Sequence, residues 1–416
     1  MKAKVLNWVQ QFNTFCFLDN HQYRLIPHTQ ECLLAAGVKN TVTASSGMAI
    51  DELQTFLDNH KERWLFGHLG YELKNELEAL SSTHTDNIGF PDLFFFEPLI
   101  LIRLNETGVW IDAEYPEKIY KEILDSPVAV SSADKSETGI HINSRLTKEE
   151  YVNIIDQLRQ HILRGDCYEI NFCQEFFSEQ TTINPLQVYQ QLSEVSPNPF
   201  SAFYRLNDKW LVCASPERFI QKQGNKILSQ PIKGTSTRIH GSKEEDERTK
   251  NELFHSGKDR SENVMVVDLV RNDLARVCKE GTVKVDELYG VYSFPQVHQM
   301  ISTISGELND NISFTEIIKA TFPMGSMTGA PKKRVMQLIE QYEKTKRGIF
   351  SGALGYISPS GDFDFNVVIR SILYNSSQHY LSVLAGSGIT FYSEPIKEWD
   401  ECMLKVTAMK EVLVGK

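Results

Sequence analysis

Residues 352–385 read GALGYISPSGDFDFNVVIRSILYNSSQHYLSVLA. Three strand-like runs stand out in them: Gly352–Ile357, Phe365–Tyr374 and Tyr380–Ala385, with a closing helix expected from about Pro395. Working back from this stretch, further strand-like runs fall at Tyr168–Phe172, Ser201–Tyr204 and Trp210–Cys213. Thr147 to Gly165 reads as a helix, with Tyr151, Ile154, Ile155, Leu158 and Ile162 on one face. A long helix is expected around Glu244 to Arg271. Nearer the start, FCFL and LFFFE read as short strands, and Asp51 to His60 as a helix with Leu53, Phe56 and Leu57 at helical spacing. Residues 126–146, rich in Ser, Thr and Asp, read as a surface loop or linker between residues 1–125 and 147–416. Runs of strands separated by a few helices predict an α+β fold with large antiparallel sheets rather than regular βαβ units.

The composition is that of a globular protein. Of 416 residues, 41% are apolar and 23% charged, which excludes disordered and collagen-like chains. Length alone suggests two or three domains. The net charge of -11, with no basic run, argues against a nucleic-acid partner. An anionic small molecule stays possible if a local pocket or a metal overrides the global sign. The seven cysteines, Cys16, Cys32, Cys167, Cys173, Cys213, Cys278 and Cys402, are scattered and never form C-x-x-C, so reduced thiols in the cytoplasm are expected. No signal-type start and no apolar window of about 18 residues is present, so no membrane association is expected.

AGSGIT carries Gly386 and Gly388 but lacks the third glycine and following helix of a dinucleotide fingerprint. GSMTGAPK, with Gly325, Gly329 and Lys332, lacks the spacing of a P-loop. Both remain candidates for holding a carboxylate on backbone N–H groups. Asp259 and Glu262 are three apart on one expected helix, and Glu398 and Glu401 on another, so each pair shares a face. A solvated acidic face is the plain reading of one such pair. Two pairs, one running into the apolar Val264-Met265-Val266-Val267, point instead to carboxylates that must be paired or metal-bound. Few oxygen ligands completed by water and substrate suit Mg²⁺.

Eight stretches taken together resemble the chorismate-utilising enzymes, in that family's order: ASPERF (Ala214–Phe219), PIKGT (Pro231–Thr235), DRSENVMVVDLVRNDLARV (Asp259–Val277), GSMTGAPKKR (Gly325–Arg334), RGIFSGALGYIS (Arg347–Ser358), VVIRS (Val367–Ser371), AGSGIT (Ala385–Thr390) and SEPIKEWDECMLK (Ser393–Lys405). The first third matches only loosely, through LFGHLGYEL (Leu65–Leu73). The resemblance implies a single α+β domain of two antiparallel sheets packed face to face, with outer helices and the active site in a cleft between the sheets. It also implies a substrate with two carboxylates. One is expected on Mg²⁺ held by Glu262 and Glu401, with Asp259 and Glu398 behind them. The other is expected on Arg370 and the backbone of Gly386, Ser387 and Gly388. Lys405, Gly234, Thr235, Ser326 and Thr328 are further expected substrate contacts. At Phe350 relatives often carry an aromatic hydroxyl.

Within the family, anthranilate synthases carry Ala in the middle of PIxGT, whereas aminodeoxychorismate synthases carry Lys, as here at Lys233. The resemblance therefore implies amination of chorismate at C4. Lys233 would be the covalent nucleophile, its amine freed by burial, and Glu217 the general acid for the departing hydroxyl. His298 resembles the histidine that assists pyruvate loss in anthranilate synthases, and either a positioning or a purely structural role is expected for it. Glu169 stands where amide-transferring relatives usually show Gln and water-activating relatives a lysine. No glutaminase motif is present, so ammonia is expected from solution or from a glutamine amidotransferase subunit. FCFLDN (Phe15–Asn20) is a faint match to the regulatory tryptophan segment of relatives, and tryptophan inhibition is not expected. The rival readings are an anthranilate synthase and a non-catalytic homologue that binds chorismate or tryptophan.

Overall fold

Phe365–Tyr374 does not form one strand. In a computed structural model describing residues 1–23, 30–127, 140–294 and 297–414, Phe363–Val367 and Ser371–Asn375 are separate strands. Arg370, between them, takes the left-handed φ of +50°, which a side chain adopts only when its surroundings require it. The break sends the chain from one layer to the other. Phe363–Val367 pairs with Ala353–Ile357 and Arg218–Gln223. Ser371–Asn375 pairs with Tyr380–Ile389 and Lys209–Ser215.

All named strand pairings are antiparallel, as expected from the sequence. The first layer runs from Glu169–Ser178 through Tyr380–Ile389, Ser371–Asn375, Lys209–Ser215 and Phe200–Leu206 to Thr14–Asp19. The second runs from Leu65–Leu69 through Ala353–Ile357, Phe363–Val367, Arg218–Gln223 and Lys226–Gln230 to Val297–Glu307, which also pairs Ile232–Thr237 and Lys284–Ser293. Two 13-residue strands, Cys32–Ala44 and Leu93–Asn105, pair with each other and belong to both layers, with an irregularity at Val38/Asn40.

Alternation sorts the side chains of the first layer into two cores. Leu211, Cys173 and Leu384 face the second layer and pack in the core that holds Phe66, Phe95 and Phe365. Their neighbours Val212, Phe172 and Val383 face outward into a second core under the helices. Across the interior, His68 of one layer bonds the Tyr204 hydroxyl of the other at 3.0 Å. Burial pushes the His68 pKa down to about 4, so this imidazole is neutral.

The four expected helices form, one of them divided in two, and Lys2–Trp8, Pro116–Asp125, Pro185–Val195, Phe314–Thr321 and Lys332–Tyr342 are helices that the sequence reading did not give. Lys148–Leu163 opens with a Thr147/Glu150 capping box and buries Tyr151, Ile154, Ile155 and Leu158, while Ile162 is half-buried. The expected long helix is two, Lys243–His255 and Gly257–Ala275, because Ser256 leaves helical geometry and its hydroxyl caps the second by accepting from the Asp259 N–H. Of the expected loop 126–146, residues 128–139 lie outside the described ones. Its far end is not loop: Asn143–Ser144 pairs with Phe176–Phe177, and Leu146 is buried. All seven cysteines are buried and free, and no helix among the described residues is long and apolar enough to cross a membrane.

A buried ion pair ties the fold to the interior wall. Arg347 bonds both carboxylate oxygens of Glu343, the Met327 and Asn171 carbonyls and the Ser351 hydroxyl, and lies over the Tyr71 ring. Glu343 also accepts the Cys173 N–H. Arg347→Met leaves that carboxylate and two carbonyls without their partner, and about 3–5 kcal/mol of stability should be lost in denaturant unfolding.

Candidate active site

The cleft between the layers holds a cavity with about 800 Å³ of empty space. Its wall gathers residues from all eight of the quoted stretches, among them Glu217, Lys233, Glu262, Ser326, Arg370 and Glu401. Local backbone irregularities aim the chemistry inward. The register of Ile232–Thr237 against Val297–Glu307 shifts between Ile232 and Thr235, releasing Lys233 and Gly234 from regular pairing. Gly234 has φ +91°, and a Cβ there would lie 2.9 Å from Asp259, so only glycine fits the turn that presents Lys233.

The Lys233 Nζ meets Glu169 Oε1 at 2.6 Å, and both side chains are buried. The expectation that burial lowers the lysine pKa is overturned. Burial does act downward, but Glu169, Glu262 and Glu217 outweigh it and raise the pKa well above the ordinary value. The resting group is an ammonium. Glu169, given no role from the sequence, is thus the nearest charge to the candidate nucleophile. Gly388 makes room for the pair: a Cβ on it would sit 2.9 Å from Lys233 Nζ, 3.0 Å from Glu169 Oε1 and 3.3 Å from Glu262 Oε2.

Glu217 is buried at the end of the strand Lys209–Ser215, and burial raises its pKa to about 7, against the opposing pull of Ser326, Lys233 and Arg370. A group poised there exchanges a proton near neutrality. Burial lowers the Arg370 pKa to about 10, with the Glu217 charge opposing, and the group stays cationic at neutral pH. Thr235, Gly234, Phe350, Gly386 and Lys405 also line the cavity. Lys405 bonds Glu401 Oε1 at 2.8 Å and the Gly386 carbonyl at 2.9 Å.

Four expected site residues are not in the cavity wall. Thr328 is fully buried and donates to the Met324 carbonyl, because the turn Gly325–Met327 points its side chain into the protein. Ser387 alternates to the opposite face of its strand from Gly386 and Gly388. AGSGI is itself paired strand, part of Tyr380–Ile389, and not a loop after one. His298 points away from the cleft, between the Ser293 hydroxyl and Asp246, which Arg238 holds. Glu398 is fully buried and bonded to Lys258 at 2.8 Å.

Lys258 was missed in the sequence, although its i,i+4 spacing to Glu262 was visible. Its Nζ lies 3.7 Å from Glu262, 2.8 Å from Glu398 and 3.7 Å from Glu401, the centre of the acidic wall. Among the described residues, no three acidic, His or Cys side chains converge closely enough to hold a metal ion alone. Yet Glu262 Oε1 is buried with no hydrogen-bond partner, and burial raises the Glu262 pKa to about 8. An orphaned, desolvated carboxylate beside Glu401 fits a cation that takes few protein ligands and completes its sphere with water and substrate. Burial acts to raise the Glu401 pKa, but Lys405, Lys258 and Lys233 prevail and hold it at about 2, so that group is ionised. Asn171, Gln299 and Met327 are among the residues that also line the wall without having been expected there.

A second cavity lies between Leu18, Asn20 and Tyr23 on one side and Pro199–Ser201 on the other.

This fold, with a cleft carrying an ammonium, a carboxyl poised near neutrality and a guanidinium, is that of the chorismate binding enzymes, whose family pattern matches residues 15–411, and the chain belongs to that family. It is 32% identical over 361 residues to aminodeoxychorismate synthase component 1 of Bacillus subtilis (strain 168), covering 83% of this chain and 76% of the relative. It is also 32% identical over 397 residues to the protein of that name from Escherichia coli (strain K12), covering 92% and 86%. The crystal structure of anthranilate synthase component I from Streptococcus pneumoniae TIGR4 superposes with a TM-score of 0.80 at 24% identity, covering 94% of each chain. That likeness speaks for the fold.

Proposed function

We propose that the protein aminates chorismate at C4, giving 4-amino-4-deoxychorismate, a precursor of p-aminobenzoate and folate. The observation that carries this reading is the buried Lys233 in the cavity wall, beside a carboxyl with a pKa of about 7. The Lys233 amine attacks C2 while Glu217 protonates the departing C4 hydroxyl. Ammonia then attacks C4 and expels the lysine amine, so the new C–N bond keeps the original face. Arg370 pairs with one substrate carboxylate, a geometry that favours bidentate binding. Mg²⁺ would be held by Glu262 and Glu401, with Asp259 behind them, and when bound it offsets the acidic wall so that the second carboxylate can approach. Glu398 stays with Lys258. Ammonia comes from solution or from a glutamine amidotransferase subunit. The anthranilate-forming rival would need pyruvate loss, and His298, the residue that resembles its helper, faces away from the cleft.

Product analysis tests the reading. The protein mixed with chorismate, Mg²⁺ and ammonium should give a non-fluorescent product with the mass of aminodeoxychorismate, and omission of Mg²⁺ should abolish turnover. With an amidotransferase subunit added, glutamine should replace ammonium. Fluorescent anthranilate and released pyruvate would overturn the assignment.

A further inference from the structure

The proposed chemistry needs a free amine on Lys233, and the resting protein holds an ammonium there. Something has to take one proton and keep it. Three carboxyls surround the lysine. Glu217 must already carry a proton to serve the departing hydroxyl, so it is no acceptor at that moment. Glu262 forms no ion pair with Lys233 among the described residues; its ion pair is with Lys258, at 3.7 Å. Glu169 alone is in contact, with Oε1 at 2.6 Å from Nζ.

The placement of Glu169 suits a proton store. Its side chain is 1% exposed and does not line the cavity. Its second oxygen, Oε2, is buried with no hydrogen-bond partner. That oxygen carries lone pairs which no hydrogen-bond donor occupies. The pair is held on both sides. Glu169 begins the strand Glu169–Ser178, where Ala330 pairs with it, and the missing Cβ of Gly388 leaves the space the pair fills.

We propose that Glu169 is the base that takes the proton from Lys233 and returns it at the end of each turnover. The inference rests on the C4-amination reading. The protons balance. Lys233 passes one proton to Glu169 and becomes a neutral amine. Its lone pair bonds to C2, both ring double bonds shift by one position (C1=C2 to C1=C6, C5=C6 to C4=C5), and the C4 hydroxyl leaves as water with the Glu217 proton. The adduct nitrogen, bonded to C2, carries two hydrogens and a positive charge. Ammonia bonds to C4, the two double bonds shift back, the C2–N bond breaks, and its electron pair returns to Lys233 as a neutral amine. The new C4 ammonium gives one proton to the Glu217 carboxylate, and Glu169 gives its proton back to Lys233. The net change is chorismate plus ammonia to aminodeoxychorismate plus water.

The test separates this step from the reading it rests on. Each protein is mixed with chorismate and Mg²⁺ without ammonia, and adduct on the Lys233 peptide is followed in time by mass; chorismate affinity is measured by equilibrium dialysis. The unaltered protein should accumulate an adduct of chorismate less one water. Glu169→Gln should form it about 100-fold more slowly or worse, the scale of lost general-base catalysis, with affinity changed by less than about threefold. Glu169→Asp, which keeps a carboxylate one methylene farther away, should fall between the two and covers the case in which the Gln variant does not fold. No adduct on the unaltered protein overturns the covalent reading itself. An adduct there, with an unchanged rate in Glu169→Gln or, failing that variant, in Glu169→Asp, overturns the role of Glu169 and leaves the covalent reading standing. A loss of affinity that matches the loss of rate would mean that Glu169 only shapes the site, and would also overturn the role.

Discussion

Lys233→Ala should lose aminodeoxychorismate formation by at least about a thousandfold, the scale on which removal of a covalent nucleophile acts. The loss should appear in kcat more than in KM, because Arg370 and the acidic wall, proposed above to bind the substrate, are untouched. The adduct on the Lys233 peptide should vanish with it. The substitution also removes the positive member of a buried pair and leaves the Glu169 carboxylate alone, so some stability should be lost. Alanine is what the anthranilate branch carries at this position. A small residual activity forming anthranilate, by direct attack of ammonia at C2, is therefore the expected drift. Unchanged C4 amination in the variant would end the covalent mechanism.

Glu217→Gln should slow the ammonia-free first half-reaction by about 10²–10⁴-fold, the range of general acid catalysis. The ammonia-free measurement matters because the nucleophilicity of the ammonia pool itself rises with pH. Burial raises the folded-state pKa of Glu217 from 4.5 to about 7. The group is the competent acid below that value and an anion above it. Adduct formation by the unaltered protein should accordingly fall as pH rises through about 7, and the Gln variant should lose this limb while staying slow. Linkage carries the same sign. A carboxyl with a raised folded pKa contributes its stability below about 4.5, and that contribution is lost as pH rises from there through about 7. The Gln variant should be the less pH-sensitive of the two in thermal unfolding over this window. A rate in Glu217→Gln equal to that of the unaltered protein would show that another group protonates the hydroxyl.

The antiparallel α+β architecture could be read from periodicity, since each strand run alternates or is fully apolar. Its most consequential feature could not. Phe365–Tyr374 reads as one strand because nothing in Val368-Ile369-Arg370 resembles a turn; the left-handed Arg370 is imposed by the crossing between layers. Ser256 likewise ends one helix and caps the next, and the Ser256-Gly257 pair that marks this break was overlooked because the apolar spacing runs on around it. Glu217, Lys233, Glu262 and Arg370 were legible because their chemistry sits inside short motifs. Thr328, Ser387 and His298 sit in the same motifs but face elsewhere, and side-chain direction at a turn or strand position depends on partners far away in sequence. The sign of the Lys233 shift was misjudged for the same reason. Burial can be guessed from neighbours in sequence, whereas the carboxylates that reverse its effect arrive from positions 169, 217 and 262.

The two long strands shared by both layers bear on how the chain is made. Cys32–Ala44 leaves the ribosome early, yet it closes onto Thr14–Asp19, whose other edge waits for Phe200–Leu206. Tyr380–Ile389 completes the first layer between Glu169–Ser178 and Ser371–Asn375 only after about 200 further residues have followed Glu169–Ser178. No amino-terminal portion can therefore bury its strand edges by itself. Pairings this distant in sequence close slowly, and nascent chains hold open apolar edges meanwhile. Stalled or truncated products that stop before Tyr380 should be captured by chaperones or aggregate instead of settling as a soluble fragment, and protection from pulse proteolysis should appear late and all at once.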